Sequence, residues 1–285
     1  MVQEIRLFLL RIFACCVSLL IGPLVVSCGG GSGSSSSSSS PIWYQPSLST
    51  TWNIQLQANA AHPLNTSYSV DLYDVDLFDT DSSTIAALHA DGRKVICYFS
   101  TAWEDWRSDA GDFPASVLGN DMSGWPGEKW VDIRDPAVLA IMTARMDTAR
   151  AKGCDGVDPD NVNAFEQGQS ATGFNLSSVD QLNFNRALAA AAHERGLAIG
   201  LKNDMGQIST LVADFDFSIN EQCYFYGECD LLQPFVTAGK PVFHLEYDTS
   251  YRSDPTGLCA DSLARSHRTL VMSELLDDTY RHSCD

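Results

Sequence analysis

The chain's 285 residues carry 36 Asp and Glu against 18 Lys and Arg, a formal net charge of −18 at neutral pH. Phosphate binding needs a basic face, so this balance excludes nucleic acid as a partner and fits a cationic ligand or a soluble extracellular surface. The length suits one large domain or two small ones, and a hydrophobic content of 45% supplies a substantial core.

The N-terminus reads as a targeting segment. Arg6 and Arg11 precede an apolar run from Ile12 to Val26, the pattern of a signal peptide over residues 1–27. The run ends Val25-Val26-Ser27-Cys28, which resembles the bacterial lipobox and makes Cys28 the expected lipidated first residue after cleavage. The leader takes Arg6, Arg11 and Glu4 with it, leaving 16 basic residues against 35 acidic, or −19. Gly29 to Ser40 is Gly and Ser alone, so residues 28–45 read as a flexible tether. A single domain over 46–285 then follows, held at a bacterial cell envelope by its lipid and expected to be a monomer.

Of nine cysteines, Cys15 and Cys16 leave with the leader and Cys28 is the lipid site. An even set of six remains, which in an exported protein points to disulfides. Proximity favours Cys223 with Cys229 and Cys259 with Cys284, leaving Cys97 with Cys154, although the count alone permits other pairings. There is no CxxC pair, and the six histidines show no HxxH or HxxxH spacing, so neither metal nor cofactor is expected.

In chain order, Trp52–Leu56 predicts a first strand and Val75–Asp79 a second. A short helix over Ser82–Ala90 stops at Gly92, and Lys94–Ser100, β-branched and aromatic, predicts the third strand. A long loop holds Trp103, Trp106, Trp125 and Trp130, of which the first three read either as a cleft wall or as core or loop packing. Asp135-Pro136 places an N-cap and an N1 proline before a helix that runs to Lys152 and ends at Gly153. The fourth strand ends Gly156-Val157-Asp158-Pro159-Asp160-Asn161, where two-residue alternation projects Asp158 and Asp160 to one side. A helix from Ser177 or Ser178 to Arg195 stops at Gly196. Leu197–Leu201 predicts the fifth strand, ending Lys202-Asn203-Asp204, and Phe215–Glu221 the sixth. A short helix over Asp230–Thr237, a seventh strand over Pro241–Tyr247, a helix over Leu258–Ser266 and an eighth strand over Thr269–Ser273 complete the pattern.

Strands alternating with helices imply a parallel sheet, and eight strands in this length match a (β/α)8 barrel. Strand after strand is apolar and then ends in Asp79, Ser100, Asp160, Asn203-Asp204, Glu221 or Glu246. In such barrels active sites gather at the strands' carboxyl ends. Several acids, several aromatics and no Gly-rich phosphate loop suit sugar. Glycoside hydrolysis needs two carboxyl groups whose environments keep one protonated and one ionised.

Trp52–Leu56, Asp74–Asp79, Val95–Ser100, Trp103-Glu104-Asp105-Trp106-Arg107, Gly153–Asn161, Gly200–Asp204 and Glu221-Gln222-Cys223 together resemble glycoside hydrolase family 114. The likeness runs in order over roughly residues 50–275. It implies a (β/α)8 barrel and endo-cleavage of α-1,4-linked, partially deacetylated galactosamine polymers, which are cationic. It also implies a catalytic pair of one Asp after the fourth strand and one Glu after the sixth. Those positions match Asp160, expected as nucleophile or electrostatic stabiliser, and Glu221, expected as acid/base. Where the family carries Glu-Pro-Asp this chain has Asp158-Pro159-Asp160, one methylene shorter, which leaves the role of Asp158 open.

Strict alternation puts Glu221 on the face of Phe217 and Ile219, read as the helix-facing side, with Asn220 inward. A bulge at the strand end is then needed to re-aim Glu221. Glu246, sharing parity with Val242 and His244, is its rival or a subsite acid. Lys202, inward with Ala198 and Gly200, is expected to hold a catalytic carboxylate or anchor a hydroxyl, or else to serve in a structural ion pair. Asp158, Asp79, Tyr98, Asn203 and Asp204 are further substrate-binding candidates. Two alternatives are a non-catalytic lectin-like barrel for cationic polysaccharide and a metal-dependent deacetylase, the latter disfavoured by the histidine spacing.

Overall fold

A computed structural model describes residues 43–58 and 62–285. The expected signal peptide, Cys28 and the Gly/Ser run lie outside the described residues. Trp43 and Gln45, read as the end of the tether, are already docked. Both donate side-chain hydrogen bonds to Asp216 Oδ1, at 3.0 and 2.8 Å, and Trp43 stacks on His193 at 4.0 Å between ring centroids.

The strands are β1 (Trp52–Gln55), β2 (Leu72–Asp76), β3 (Lys94–Ser100), β4 (Trp103–Glu104), β5 (Leu118–Asp121), β6 (Glu128–Val131), β7 (Gly156–Asp160), β8 (Ala198–Lys202), β9 (Phe217–Glu221), β10 (Val242–Glu246), β11 (His267–Met272) and β12 (Arg281–Ser283). Eight of them, β1-β2-β3-β7-β8-β9-β10-β11, pair in parallel in that order, and β12 adds antiparallel to β11. At the seam Trp52 Nε1 donates to the Arg268 carbonyl at 2.8 Å, and Arg281 Nε donates to Asn53 Oδ1 at 2.6 Å. This is the expected (β/α)8 barrel. The crossover helices include Ser82–Ala90, Pro136–Lys152, Ser178–Glu194 and Thr256–Ala264.

Local chemistry fixes the helix ends. Asp135 accepts a hydrogen bond from the Ala137 amide at 2.9 Å with Pro136 behind it, and Gly153 closes the helix at φ 97°. Ser177 and Asp180 form a reciprocal capping box. Outward strand residues such as Val95, Phe99, Val157 and Leu201 pack on Met142, Met146 and Leu188 of the helices. A second cluster fills the barrel: Trp52, Leu72, Ile96, Phe217, Ile219, Phe243 and Leu270. Phe217 fits because Gly200 faces it. A Cβ there would stand 2.4 Å from the Phe217 ring.

Four departures from the sequence reading matter. The second strand is Leu72–Asp76, so Asp79 lies in the turn beyond it. Asp74 and Asp76 share the inward side of this strand with Leu72. The loop after β3 contains a three-stranded antiparallel sheet, β4-β6-β5, and β12 was also unread. The short helix read over 230–237 is a tight turn, Cys229–Leu232, followed by a helix over Gln233–Thr237. The three disulfides are Cys97–Cys154, Cys223–Cys229 and Cys259–Cys284, as proximity favoured.

Candidate active site

A cleft of roughly 1310 Å³ opens over the carboxyl ends of the barrel strands. Its floor carries Tyr98, Asp160, Lys202, Asn203, Glu221 and Tyr247, and its walls include Trp106, Trp125, Glu128 and Tyr226. The inserted sheet supplies one wall, because β6 carries Glu128 and the turns around it carry the tryptophans.

The backbone explains why functional groups sit at the strand ends. Asp160, Lys202 and Glu221 are the last residues of β7, β8 and β9. Each is followed at once by a left-handed residue: Asn161 at φ 62°, Asn203 at φ 50° and Gln222 at φ 61°. That conformation breaks the ladder, and Asn tolerates it best among residues with a Cβ. Backbone strain of this kind clusters at functional sites. The β7–β8 ladder registers only Gly156 with Ala198 and Val157 with Ile199, and Pro159 brings no N–H to extend it. The polar side chains of Asp158, Asp160 and Lys202 lie beyond that point.

Asp160 Oδ2 accepts from the Tyr98 phenol at 3.0 Å, and its Oδ1 accepts from the Asn161 amide at 2.7 Å. Lys202 Nζ stands 3.9 Å from Oδ1, while donating to Asp158 Oδ2 at 3.2 Å. Glu221 Oε1 accepts from the Tyr247 phenol at 2.5 Å and Oε2 from Asn203 Nδ2 at 3.0 Å. Asn203 Oδ1 in turn accepts from the Glu221 amide at 2.9 Å, so one amide side chain clamps both ends of this glutamate.

Charge explains the protonation of the donors. Burial, reinforced by Asp160 at Tyr98 and by Glu221 at Tyr247, pushes both phenols well above their ordinary range, so both remain donors. Burial alone would discharge Lys202. Asp158, then Asp160 and Glu221, outweigh it and push the ammonium's pKa up. Asp158 is fully buried beneath the cleft and is raised to about 6, chiefly by burial, against the opposing pull of Lys202. Glu128 is raised to about 7 by burial, then by Glu104 and Asp160.

The predicted pair thus meets in one cleft, and Glu221 needs no bulge to reach it. Phe217 and Ile219 belong to the barrel interior, with the Phe217 and Phe243 rings 5.6 Å apart, so strict alternation already aims Glu221 inward. The parity was sound, but the side read as helix-facing is the interior. The same correction moves Glu246 to the far side of β10. It is fully buried, accepts from the Tyr224 amide at 2.9 Å and lies 3.2 Å from His244 Nε2, away from the cleft lining. Asp204 is also buried off the cleft, held by Asn185 Nδ2 at 2.8 Å. Asp79 reaches the rim, 3.5 Å from Arg107 Nη1. Trp103 packs into the core and donates to the Ala110 carbonyl, whereas Trp106 and Trp125 line the cleft.

Tyr247 went unread as a site residue. It shares parity with Phe243 and Leu245, which face the interior, so it reaches the cleft while Glu246 beside it does not. Glu128 was hidden in what read as loop. Among the described residues one trio, Cys259, His282 and Cys284, is compact enough for a metal, but its two sulfurs are bonded to each other.

Two carboxyl groups from separate strands meet in an open, aromatic-walled cleft. One faces an ammonium and the other is held by neutral donors. On a (β/α)8 barrel this defines a glycoside hydrolase. The chain belongs to glycoside-hydrolase family GH114, whose model matches residues 33–285. It is similar to the crystal structure of Aspergillus fumigatus Ega3 in complex with galactosamine, at 40% identity and TM-score 0.78 over 85% of this chain and 97% of that one. The glycoside hydrolase domain of PelA from Pseudomonas aeruginosa shares the fold at 15% identity and TM-score 0.62, over 80% and 96% of the two chains. An uncharacterized protein of Deinococcus radiodurans is 30% identical over 237 residues, 71% of this chain and 74% of the relative.

Proposed function

We propose that this hydrolase cleaves internal α-1,4 links of a galactosamine-rich polysaccharide, with Asp160 as nucleophile or electrostatic stabiliser and Glu221 as acid/base. The observation that carries the reading is the convergence of these two carboxyl groups in one cleft, each oxygen held by a named donor. Galactosamine bound to the 40%-identical Ega3 supports the sugar.

Charge supports it too. The cleft lining includes Asp79, Asp121, Glu128, Glu166, Glu228 and Glu274, while its two cations, Arg107 and Lys202, are already paired with carboxylates. A polymer bearing free ammonium groups complements such a surface. Tyr98, Lys202 and Asn203 hold the reacting carboxyls, and Trp106 and Trp125 offer apolar faces to sugar rings.

The test is the product profile on purified, partly deacetylated galactosaminogalactan. Endo-cleavage gives a ladder of oligomers early in the digest. Release of monomer alone contradicts the endo assignment, and binding without any cleavage favours the lectin-like alternative. The membrane tether belongs to the same proposal. Labelled palmitate is expected to enter the protein through Cys28 and to be lost in Cys28→Ala, and equal labelling of both would remove the anchor.

A further inference from the structure

We infer that Asp74 is a positioning residue: a neutral carboxylic acid inside the barrel that donates a hydrogen bond to Asp158 and so fixes the Asp158–Lys202 pair beneath Asp160. The inference rests on the reading of Asp160 as a reacting carboxylate.

Leu72, Asp74 and Asp76 are the inward residues of β2. Leu72 joins the apolar interior, and Asp76 receives two hydrogen bonds from Arg107, at 2.6 and 3.1 Å. Asp74 lies between them, has no exposed surface, and accepts no hydrogen bond at either oxygen. Asp158 is equally buried, and its Oδ1 is likewise without a donor. The two carboxyl groups nevertheless lie within hydrogen-bonding reach of each other. Two carboxylates have only acceptors to offer, so a bond between them requires a proton on one.

Charge says which. Lys202 is the one ammonium that acts on Asp74 and Asp158, and it also faces Asp160. It is 3.2 Å from Asp158 Oδ2 and 3.9 Å from Asp160 Oδ1. The Tyr98 phenol is committed to Asp160. Three ionised carboxyls around one cation would leave a buried charge uncompensated, and a buried group in that position neutralises instead. Lys202 bonds Asp158, so the proton belongs on Asp74. Burial, and next the charge of Asp158, push its carboxyl well above the usual range.

The consequence is geometric. Asp158 is gripped at Oδ2 by Lys202 and at Oδ1 by the Asp74 hydroxyl. Lys202 is thereby kept at long range from Asp160, whose oxygens are left to Tyr98, the Asn161 amide and the substrate. Without the Asp74 proton, Asp158 loses one grip and Lys202 is free to close on Asp160 as a direct ion pair.

The test uses the full folded chain. Infrared difference spectra at neutral pH, wild type against Asp74→Asn, are expected to show a protonated-carboxyl C=O stretch in the wild type that the variant lacks. Asn keeps a neutral N–H for Asp158, so D74N is expected to retain most of kcat. Asp74→Leu, with no donor, is expected to lose kcat by roughly tenfold or more with KM little changed, the scale of one hydrogen bond to a charged group. A missing band, D74N as impaired as D74L, or D74L as active as the wild type would each overturn the assignment. If D74L does not fold, the spectrum and D74N decide. The infrared result needs no substrate. A band present beside an active Asp160→Asn variant would sink the catalytic reading and leave the state of Asp74 standing.

Discussion

The Tyr247 phenol donates to Glu221 Oε1 at 2.5 Å, from the residue just beyond β10 to the last residue of β9. Alternation along both strands aims both side chains inward, so the contact follows from register. A hydrogen bond to a charged group is worth about 1.5–3 kcal/mol. Tyr247→Phe is therefore expected to lower kcat/KM roughly tenfold or more without unfolding the barrel. Steady-state kinetics beside a thermal melt check this, and wild-type kcat/KM in the variant contradicts it.

Arg107 ties the cleft's inserted wall to the barrel. It donates to both oxygens of Asp76 and to Glu104 Oε1 at 3.0 Å, with Asp79 at its edge. Arg107 and its two main partners, Asp76 and Glu104, are all buried. Arg107→Met strands two buried carboxylates and is expected to cost about 3–5 kcal/mol in chemical denaturation. Arg107→Lys recovers only part, since an ammonium does not reproduce the fork.

Asp204 sets a dependence on pH. Burial, then Glu166, raises its carboxyl to about 7. A carboxyl whose folded value lies above its unfolded one binds its proton more tightly in the native state, so its contribution to stability falls as pH rises from about 4 to about 7. Asp158, raised to about 6, acts in the same direction. His267, lowered to about 3 by burial, opposes them below the ordinary histidine range. The clean measurement is therefore a difference. Asp204→Asn should gain on the wild type with rising pH by up to roughly 1.4 kcal/mol per unit across that window, and level off above it. Asn suits the position's φ of 48°. A pH-independent difference contradicts the expectation.

Trp106 and Trp125 are 52% and 43% exposed while lining the cleft, an arrangement that core packing does not require. An ammonium over an exposed indole gains about 0.5–1 kcal/mol. Replacing either by Ala is expected to raise KM for a galactosamine polymer by roughly two- to fivefold, with kcat and melting temperature nearly unchanged. An unchanged KM in the double variant would remove these residues from the substrate path.

Much of the scaffold was legible, because strand-terminal acids after apolar runs locate the rim of a parallel barrel. What was not legible depends on partners far apart in the chain. Phe217 looked helix-facing because nothing local shows that Gly200 makes room for it inside. The β2 register slipped because its inward residues are Asp74 and Asp76, whose partners come from β7, β8 and the inserted sheet. Glu246 shares its strand end with Tyr247, and only the direction of the interior tells which of the two reaches the cleft. The disulfides were legible because two of the pairs lie close in sequence.

The convergence of Asp160 and Glu221 is tested most directly by assaying Asp160→Asn and Glu221→Gln, each verified as folded by circular dichroism, for oligomer release from a galactosamine polymer. Both variants are expected to lose cleavage while still binding the polymer. Wild-type cleavage by either one would remove that residue from the chemistry, and cleavage by both would refute the site.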